Sequence, residues 1–226
     1  MEDLINRIYL TFIFEDRWKF FLEGLGITLL LTAGSFVIGS LFGAGFCALK
    51  TSRHKLVRKV TNAFISFLVQ LPTLVLLMLF VYIFFGDTSL SVTIVVLFGL
   101  TLKSGAYLSE IFYTAVTAVN PGEIEAAHTL GLSRVQVFRF ITLPQAISTA
   151  LPIYKNQFVI TLQETSVVGY LAIMDLTRAS EVVTSRTYDA LFGLIIVSIL
   201  YLLIGYVGNL LLNLLGRQKH LGGEDK

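Results

Sequence analysis

The stretch NPGEIEAAHTLGLSRVQVFRFITLPQA, Asn120 to Ala146, separates two long apolar segments and sets how the whole chain is laid out. Asn120 can cap a helix, Pro121 suits its first turn, and Glu123 stands at capping-box spacing. Glu123 and Glu125 lie near the positive end of that helix's dipole. Gly131 interrupts the helix as a C-terminal cap does. Ser133 and Gln136 then start a second short helix that runs to Phe140, and Pro144 marks the return to apolar sequence. The result is a helix-turn-helix elbow, with small side chains at Ala126, Ala127 and Gly131 where it would fit closely against another surface. Its only Lys or Arg residues are Arg134 and Arg139, and it is tethered at both ends, so nucleic acid is excluded as its target.

Outward from the elbow, the sequence is lipid-soluble in character. Of its 226 residues, 55% are hydrophobic and 14% charged, against about 25% charged in an ordinary soluble domain. A membrane-crossing helix needs roughly 20 mostly apolar residues. Five segments qualify: 24–49, 63–85, 90–119, 146–171 and 190–215. The fold class expected is an all-α integral membrane protein forming a single transmembrane domain over 1–226, with the elbow at 120–144 between helices 3 and 4. Leu4–Phe14 is amphipathic but too short to cross, and is expected to lie along a membrane surface. The N-terminus lacks the basic, apolar and small-residue succession of a signal peptide.

Loop charge gives the orientation. Lys50, Arg53, Lys55, Arg58 and Lys59 lie in one loop, and with Arg134, Arg139, Arg217, Lys219 and Lys226 they place ten cations on one side. Arg7, Arg17, Lys19, Arg178 and Arg186 place five on the other. The richer side is expected to be the cytoplasm, with the N-terminus outside, the C-terminus inside and an odd number of spans. Pro72 and Pro152 fall within spans and are expected to kink them, either for packing or beside a pathway. Gly39 and Gly43 mark a face for close helix contact. Cys47, alone in the chain, reads as a small packing residue.

Charges inside the membrane need partners or a function. At about 1.5 Å per residue, Lys103 and Lys155 lie about 20 and 24 Å below the outer ends of their spans, Glu164 about 10 Å down, and Glu110 near the cytoplasmic end. Two cations and two anions can pair within the bundle; alternatively, one or both lysines face a cavity and attract a substrate carboxylate. Tyr107, Asn156, Thr165 and Ser166 complete the candidate pathway. No GxxxxGK[ST] segment is present, so the chain cannot cradle ATP phosphates, and no catalytic or metal-binding set is expected. His54, His128 and His220 all fall in expected cytoplasmic segments, which argues against an intramembrane enzyme. A self-sufficient carrier would normally show two repeated halves, and none is visible.

Glu125-Ala126-Ala127, three residues, Gly131, nine residues, Ile141, one residue, Leu143-Pro144 resembles the signature loop of ATP-binding-cassette importer permeases. SGAYLSEIF (Ser104–Phe112), LPQA (Leu143–Ala146) and LPIYKNQFVITLQETSVVG (Leu151–Gly169) are similar to the polar amino acid branch, and the similarity covers roughly Gly24 to Arg217. Two departures stand out. Val69-Gln70-Leu71-Pro72 replaces the Arg-Gly-Thr-Pro of many members, so the family's arginine has no counterpart here. Gln163 stands where a lysine is common, a form found in some permeases for acidic amino acids.

The resemblance implies a bacterial inner-membrane subunit whose elbow is a coupling helix, with Glu125, Ala126, Ala127, Gly131, Leu143 and Pro144 at the contact with a cytoplasmic ATPase dimer. ATP and Mg would reside on that partner, and no cofactor on this chain. It further implies alternating access in a two-fold pair of permeases, identical or homologous, and an extracytoplasmic solute-binding protein. Polar or acidic amino acids are the expected substrates, with methionine or glycine betaine importers, and less readily a stand-alone secondary carrier, as alternatives.

Overall fold

The computed structural model describes residues 7–217. Lys219, His220 and Lys226 lie outside the described residues, as do the first residues of the Leu4–Phe14 segment. Among the described residues the chain is all-helical. Its helices are α1 (Trp18–Lys50), α2 (Lys55–Gln70), α3 (Thr73–Leu79), α4 (Val92–Thr117), α5 (Pro121–Thr129), α6 (Arg134–Val137), α7 (Leu143–Glu164), α8 (Leu176–Thr187) and α9 (Ala190–Arg217). Three of them, α1, α4 and α9, are long and apolar enough to cross a membrane by themselves, and there are up to five spans if each of two bent pairs counts as one.

α4 is the centre of the bundle. Of its most apolar window 67% is buried, against 17% for α9, so α9 presents leucine and isoleucine to the surroundings on most of its circumference. Val95, Val96, Leu100, Leu102 and Ala106 of α4 divide between two apolar cores. One is shared with Leu31, Leu77, Val168 and Leu171, the other with Ile65, Leu68, Leu76 and Phe80. The most extensive helix pair is α1 with α4, and its closeness is set by glycine. A Cβ at Gly43 would lie 2.8 Å from Leu108 Cβ, and one at Gly105 would lie 2.9 Å from Phe42 Cβ. Small residues let two backbones approach where apolar surface alone gives no preference over lipid. α1 also begins earlier than its apolar stretch suggests. Gly24 does not stop it, because the missing Cβ lets the helix pass the Asp175 carbonyl oxygen, 2.7 Å from where that carbon would sit.

The stretch 63–85 is not one helix. α2 ends at Gln70, Leu71 and Pro72 are extended with ψ of 135° and 137°, and α3 continues through a π turn at Phe80–Phe84. The two arms diverge by 114°. Proline removes a helical N–H and disfavours helical backbone in the residue before it, so a break at Leu71 follows locally. The Leu71 carbonyl at the bend is held from another helix, as described below.

The return after the elbow is smoother than its proline suggests. α6 runs into α7 through a π turn at Phe138–Thr142, and Pro144 occupies the first turn of α7, where its missing N–H costs nothing. There is thus no separate second short helix ending at Phe140. α7 tightens into a 3-10 segment, Thr165–Leu171, and reverses at Ala172, whose φ is +59°. Asp175 then caps α8 by accepting from the Thr177 and Arg178 N–H groups at 3.2 and 3.0 Å. Near the N-terminus, Tyr9–Ile13 forms a π turn, and Arg17 donates to the Leu10 carbonyl at 2.8 Å.

Candidate functional site

Two assemblies carry the sequence's candidate residues. The first is the elbow. Asn120 Oδ1 accepts from the Gly122 N–H at 2.9 Å. Glu123 does not close a capping box; its Oε2 instead accepts from Gln145 Nε2 at 2.6 Å. At the other end of α5, Gly131 has φ +84°. The Gly131 N–H donates to the His128 carbonyl at 3.0 Å and the Leu132 N–H to the Ala127 carbonyl at 3.2 Å. This bond pair satisfies carbonyls that the helix end would leave open. A capping box does form one turn later. Ser133 Oγ accepts from the Gln136 N–H at 3.4 Å, and Gln136 Oε1 accepts from the Ser133 N–H at 2.8 Å.

Every end of the elbow is therefore tied by side-chain or glycine chemistry. Ala127 is buried within it, while Glu125, Ala126, Leu143 and Pro144 are exposed. Its tip is apolar and uncovered: Leu130 is 81% exposed and Val135 75%.

The second assembly lies where α3, α4 and α7 meet, at the break after Gln70. Lys103 is almost wholly buried. Its ammonium donates to the Leu71 carbonyl and to Thr73 Oγ1, both at 2.8 Å, and lies 3.4 Å from Glu164 Oε1. Thr73 Oγ1 in turn donates to Glu164 Oε1 at 2.9 Å. The carbonyl exposed by the bend is thus capped by a cation from another helix. Next to this cluster, Tyr107 donates to the Val69 carbonyl at 3.3 Å, and the Ser104 and Thr161 hydroxyls are 3.5 Å apart.

Lys103 donates two hydrogen bonds and its charge is paired with Glu164, so the ammonium is compensated within the bundle. Glu164 differs: its Oε2 is buried and has no hydrogen-bond partner among the described residues. Ser109 Oγ on α4 and Gln157 Nε2 on α7 are likewise buried without a partner. α4 and α7 thus carry three of the five such atoms among the described residues; the other two are Arg17 Nε, just before α1, and Thr32 Oγ1 of α1.

The other candidates do not converge there. Glu110 pairs with Lys50 at 2.7 Å, and the same ammonium lies 4.5 Å from the Tyr113 ring centroid. Lys155 donates to Asn213 Oδ1 of α9 at 2.6 Å, and Asn156 is exposed. Thr165 is buried and donates to the Leu162 carbonyl at 2.7 Å. Ser166 donates to the Gln163 carbonyl at 2.8 Å and borders a hollow of about 240 Å³ with Tyr170, Ala172 and Arg178.

Thr73, Lys50 and Asn213 carry contacts that sequence reasoning did not assign. Thr73 could have been found from its place directly after Pro72, where a helix restarts. Lys50 was placed in a loop by its neighbours in charge, although it is the last residue of α1.

Comparison with known proteins gives a consistent answer. The chain is 31% identical over 221 residues to the histidine/lysine/arginine/ornithine transport system permease protein HisM of Salmonella typhimurium, covering 92% of each chain. It is 28% identical to the probable amino-acid ABC transporter permease protein YckA of Bacillus subtilis, covering 95% of this chain and 98% of that one. A crystal structure of an amino acid ABC transporter with histidines superposes with a TM-score of 0.79 at 32% identity, over 88% of this chain and 94% of that one. The MetNI methionine ABC transporter superposes at 0.70 with 19% identity, a likeness of fold alone. The profile described as binding-protein-dependent transport system inner membrane component matches residues 35–220. The chain belongs to that family.

Proposed function

We propose that this chain forms one half of the translocation pathway of an ATP-driven amino acid importer, with the elbow as its drive contact. As a permease subunit it is not itself an enzyme, and ATP is hydrolysed on a separate chain. In this reading the two bent pairs each count as one span, giving five, with the N-terminus outside and the elbow in the cytoplasm. Each copy offers one elbow to a two-fold ATPase dimer that carries the ATP and Mg, so a second permease, identical or homologous, completes the unit. An extracytoplasmic binding protein delivers the substrate at the opposite end.

The observation that carries the proposal is the elbow's construction. Short helices closed by a glycine cap and a capping box hold exposed apolar side chains, Leu130 and Val135, outside the apolar bundle. Exposed apolar residues on a rigid projection fit insertion into a groove of another protein. α6 leads into α7 through the π turn, and in this reading closure of the ATPase pair moves the elbow and changes access to the seam at Glu164.

The names of the relatives favour an amino acid as cargo, and the seam suggests which end of it is recognised. Lys103 is already held by Leu71, Thr73 and the Glu164 charge, so the spare acceptor Glu164 Oε2 suits a substrate ammonium better than Lys103 suits a carboxylate. Cysteines placed at Leu130 and Val135 in native membranes test the elbow. Cross-links to an ATPase subunit are expected, and failure to capture one at either position would sink the proposal.

A further inference from the structure

Glu123 sits in the first turn of α5, and capping would be its ordinary work there. It points elsewhere, to Gln145 in the first turn of α7, 22 residues on. The contact joins two exposed side chains and is short, 2.6 Å between Oε2 and Nε2. It spans the open side of the elbow. The other ties described above are local: Asn120 to Gly122, Gly131 and Leu132 to the end of α5, and Ser133 with Gln136. They fix the shape of each short helix but leave the angle between α5 and α7 to the intervening turn. That turn contains a π segment, Phe138–Thr142, a rare form that recurs at functional sites.

We infer that the Glu123–Gln145 contact is a strut that makes α5 and α7 move as one piece, so that Glu123 and Gln145 are positioning residues for energy coupling. α7 extends from Gln145 to Glu164, about 30 Å at 1.5 Å per residue. A rotation of α5 that is passed on to α7 therefore reaches the Glu164–Thr73–Lys103 cluster at full lever length. The same rotation is absorbed by the π turn if the strut is missing. The inference rests on the reading of the elbow as the ATPase contact, and adds to it the route by which motion leaves the elbow.

The test uses the whole transporter in liposomes, this chain with its ATPase, companion permease and binding protein. Substrate delivered per ATP hydrolysed is measured alongside cysteine cross-linking of position 130 to the ATPase. Glu123→Leu and Gln145→Leu should each lower the delivered-to-hydrolysed ratio by about threefold to tenfold, the range that one hydrogen bond can shift an equilibrium. The double variant should be no worse than either single one. Glu123→Gln, whose amide oxygen still accepts, should restore most of the ratio, and so should the exchanged pair Glu123→Gln with Gln145→Glu. Cross-linking should be unchanged throughout.

Additive losses, a Glu123→Gln variant as poor as Glu123→Leu, or an unchanged ratio with cross-links intact would each overturn the strut alone. Absence of cross-links in the unsubstituted chain would overturn the elbow reading and the strut together. A low expression level in the leucine variants does not blur the result, because the ratio is taken per ATP hydrolysed and the exchanged pair keeps both side-chain types.

Discussion

Lys103 Nζ and Glu164 Oε1 are 3.4 Å apart, yet the shorter bonds that join them run through a third group, the Thr73 hydroxyl, which accepts from the one and donates to the other. The ion pair is therefore also a fastening for the restart of the helix after Pro72. Removing one charge from such a buried pair leaves the other without compensation, at a cost of about 3–5 kcal/mol, whereas removing both can be nearly neutral. Lys103→Met should sharply reduce the melting temperature of the detergent-purified complex, and Glu164→Gln should do so less, since its amide oxygen still accepts from Thr73. The two together should recover most of the loss seen with Lys103→Met. A double variant that melts below either single one would contradict this account.

The second pair gives a contrast that geometry alone decides. Lys50 is 7% exposed, but its partner Glu110 is 47% exposed. Once Lys50 is gone the carboxylate can turn toward water, and methionine fills the space left by the lysine stem. Lys50→Met should cost about 1 kcal/mol or less, well under the loss for Lys103→Met in the same melting assay.

Packing of α1 on α4 can be probed with glycines two residues apart. A Cβ at Gly43 meets Leu108 Cβ at 2.8 Å, while at Gly45 nothing lies within 4 Å. Gly43→Ala should destabilise by about 1–3 kcal/mol through overpacking. Gly45→Ala should be neutral or stabilising by about 0.5–1 kcal/mol, because alanine is the better helix former. Thermal denaturation of the two variants side by side is the check.

At Gly131 the expected defect comes from backbone conformation. A side chain there would meet nothing within 4 Å, but φ is +84°, a region in which any L side chain costs about 1 kcal/mol or more. Gly131→Ala should leave the bundle's melting temperature almost unchanged while lowering ATPase stimulation by loaded binding protein. Gly45→Ala, where a Cβ meets nothing within 4 Å, is the control and should stimulate normally.

What could be read from sequence was the local part. A glycine cap at Gly131, an N-terminal cap at Asn120 and the Ser133–Gln136 pairing each depend on residues within four or five positions, and all three form. The features that eluded it are decided across the bundle. Pro72 announces a break, but not that Lys103, 31 residues later, caps the Leu71 carbonyl. Charge counting put Lys50 with its basic neighbours, whereas the last turn of α1 carries it to Glu110, 60 positions away. Glu123 has the spacing of a capping residue, and only the fold of the chain back to Gln145 reveals its actual partner. The polarity of the α4–α7 seam was visible in Lys103, Tyr107 and Glu164; that Lys103 is tied to Leu71 and Thr73 while one Glu164 oxygen is left over could not be read without coordinates.

The glycine-fitted seam between α1 and α4 also has a consequence for biogenesis. Gly43 leaves the ribosome well before Gly105, and at about 5–20 residues per second the interval is roughly 3 to 12 seconds. During that wait α1 is in the bilayer with its small-residue groove unmated, and residues 51–91 must be inserted before its mate exists. Gly43 and Gly105 can therefore meet only after the intervening segment has been made, so the most extensive seam of the bundle joins helices that are not neighbours in the order of synthesis.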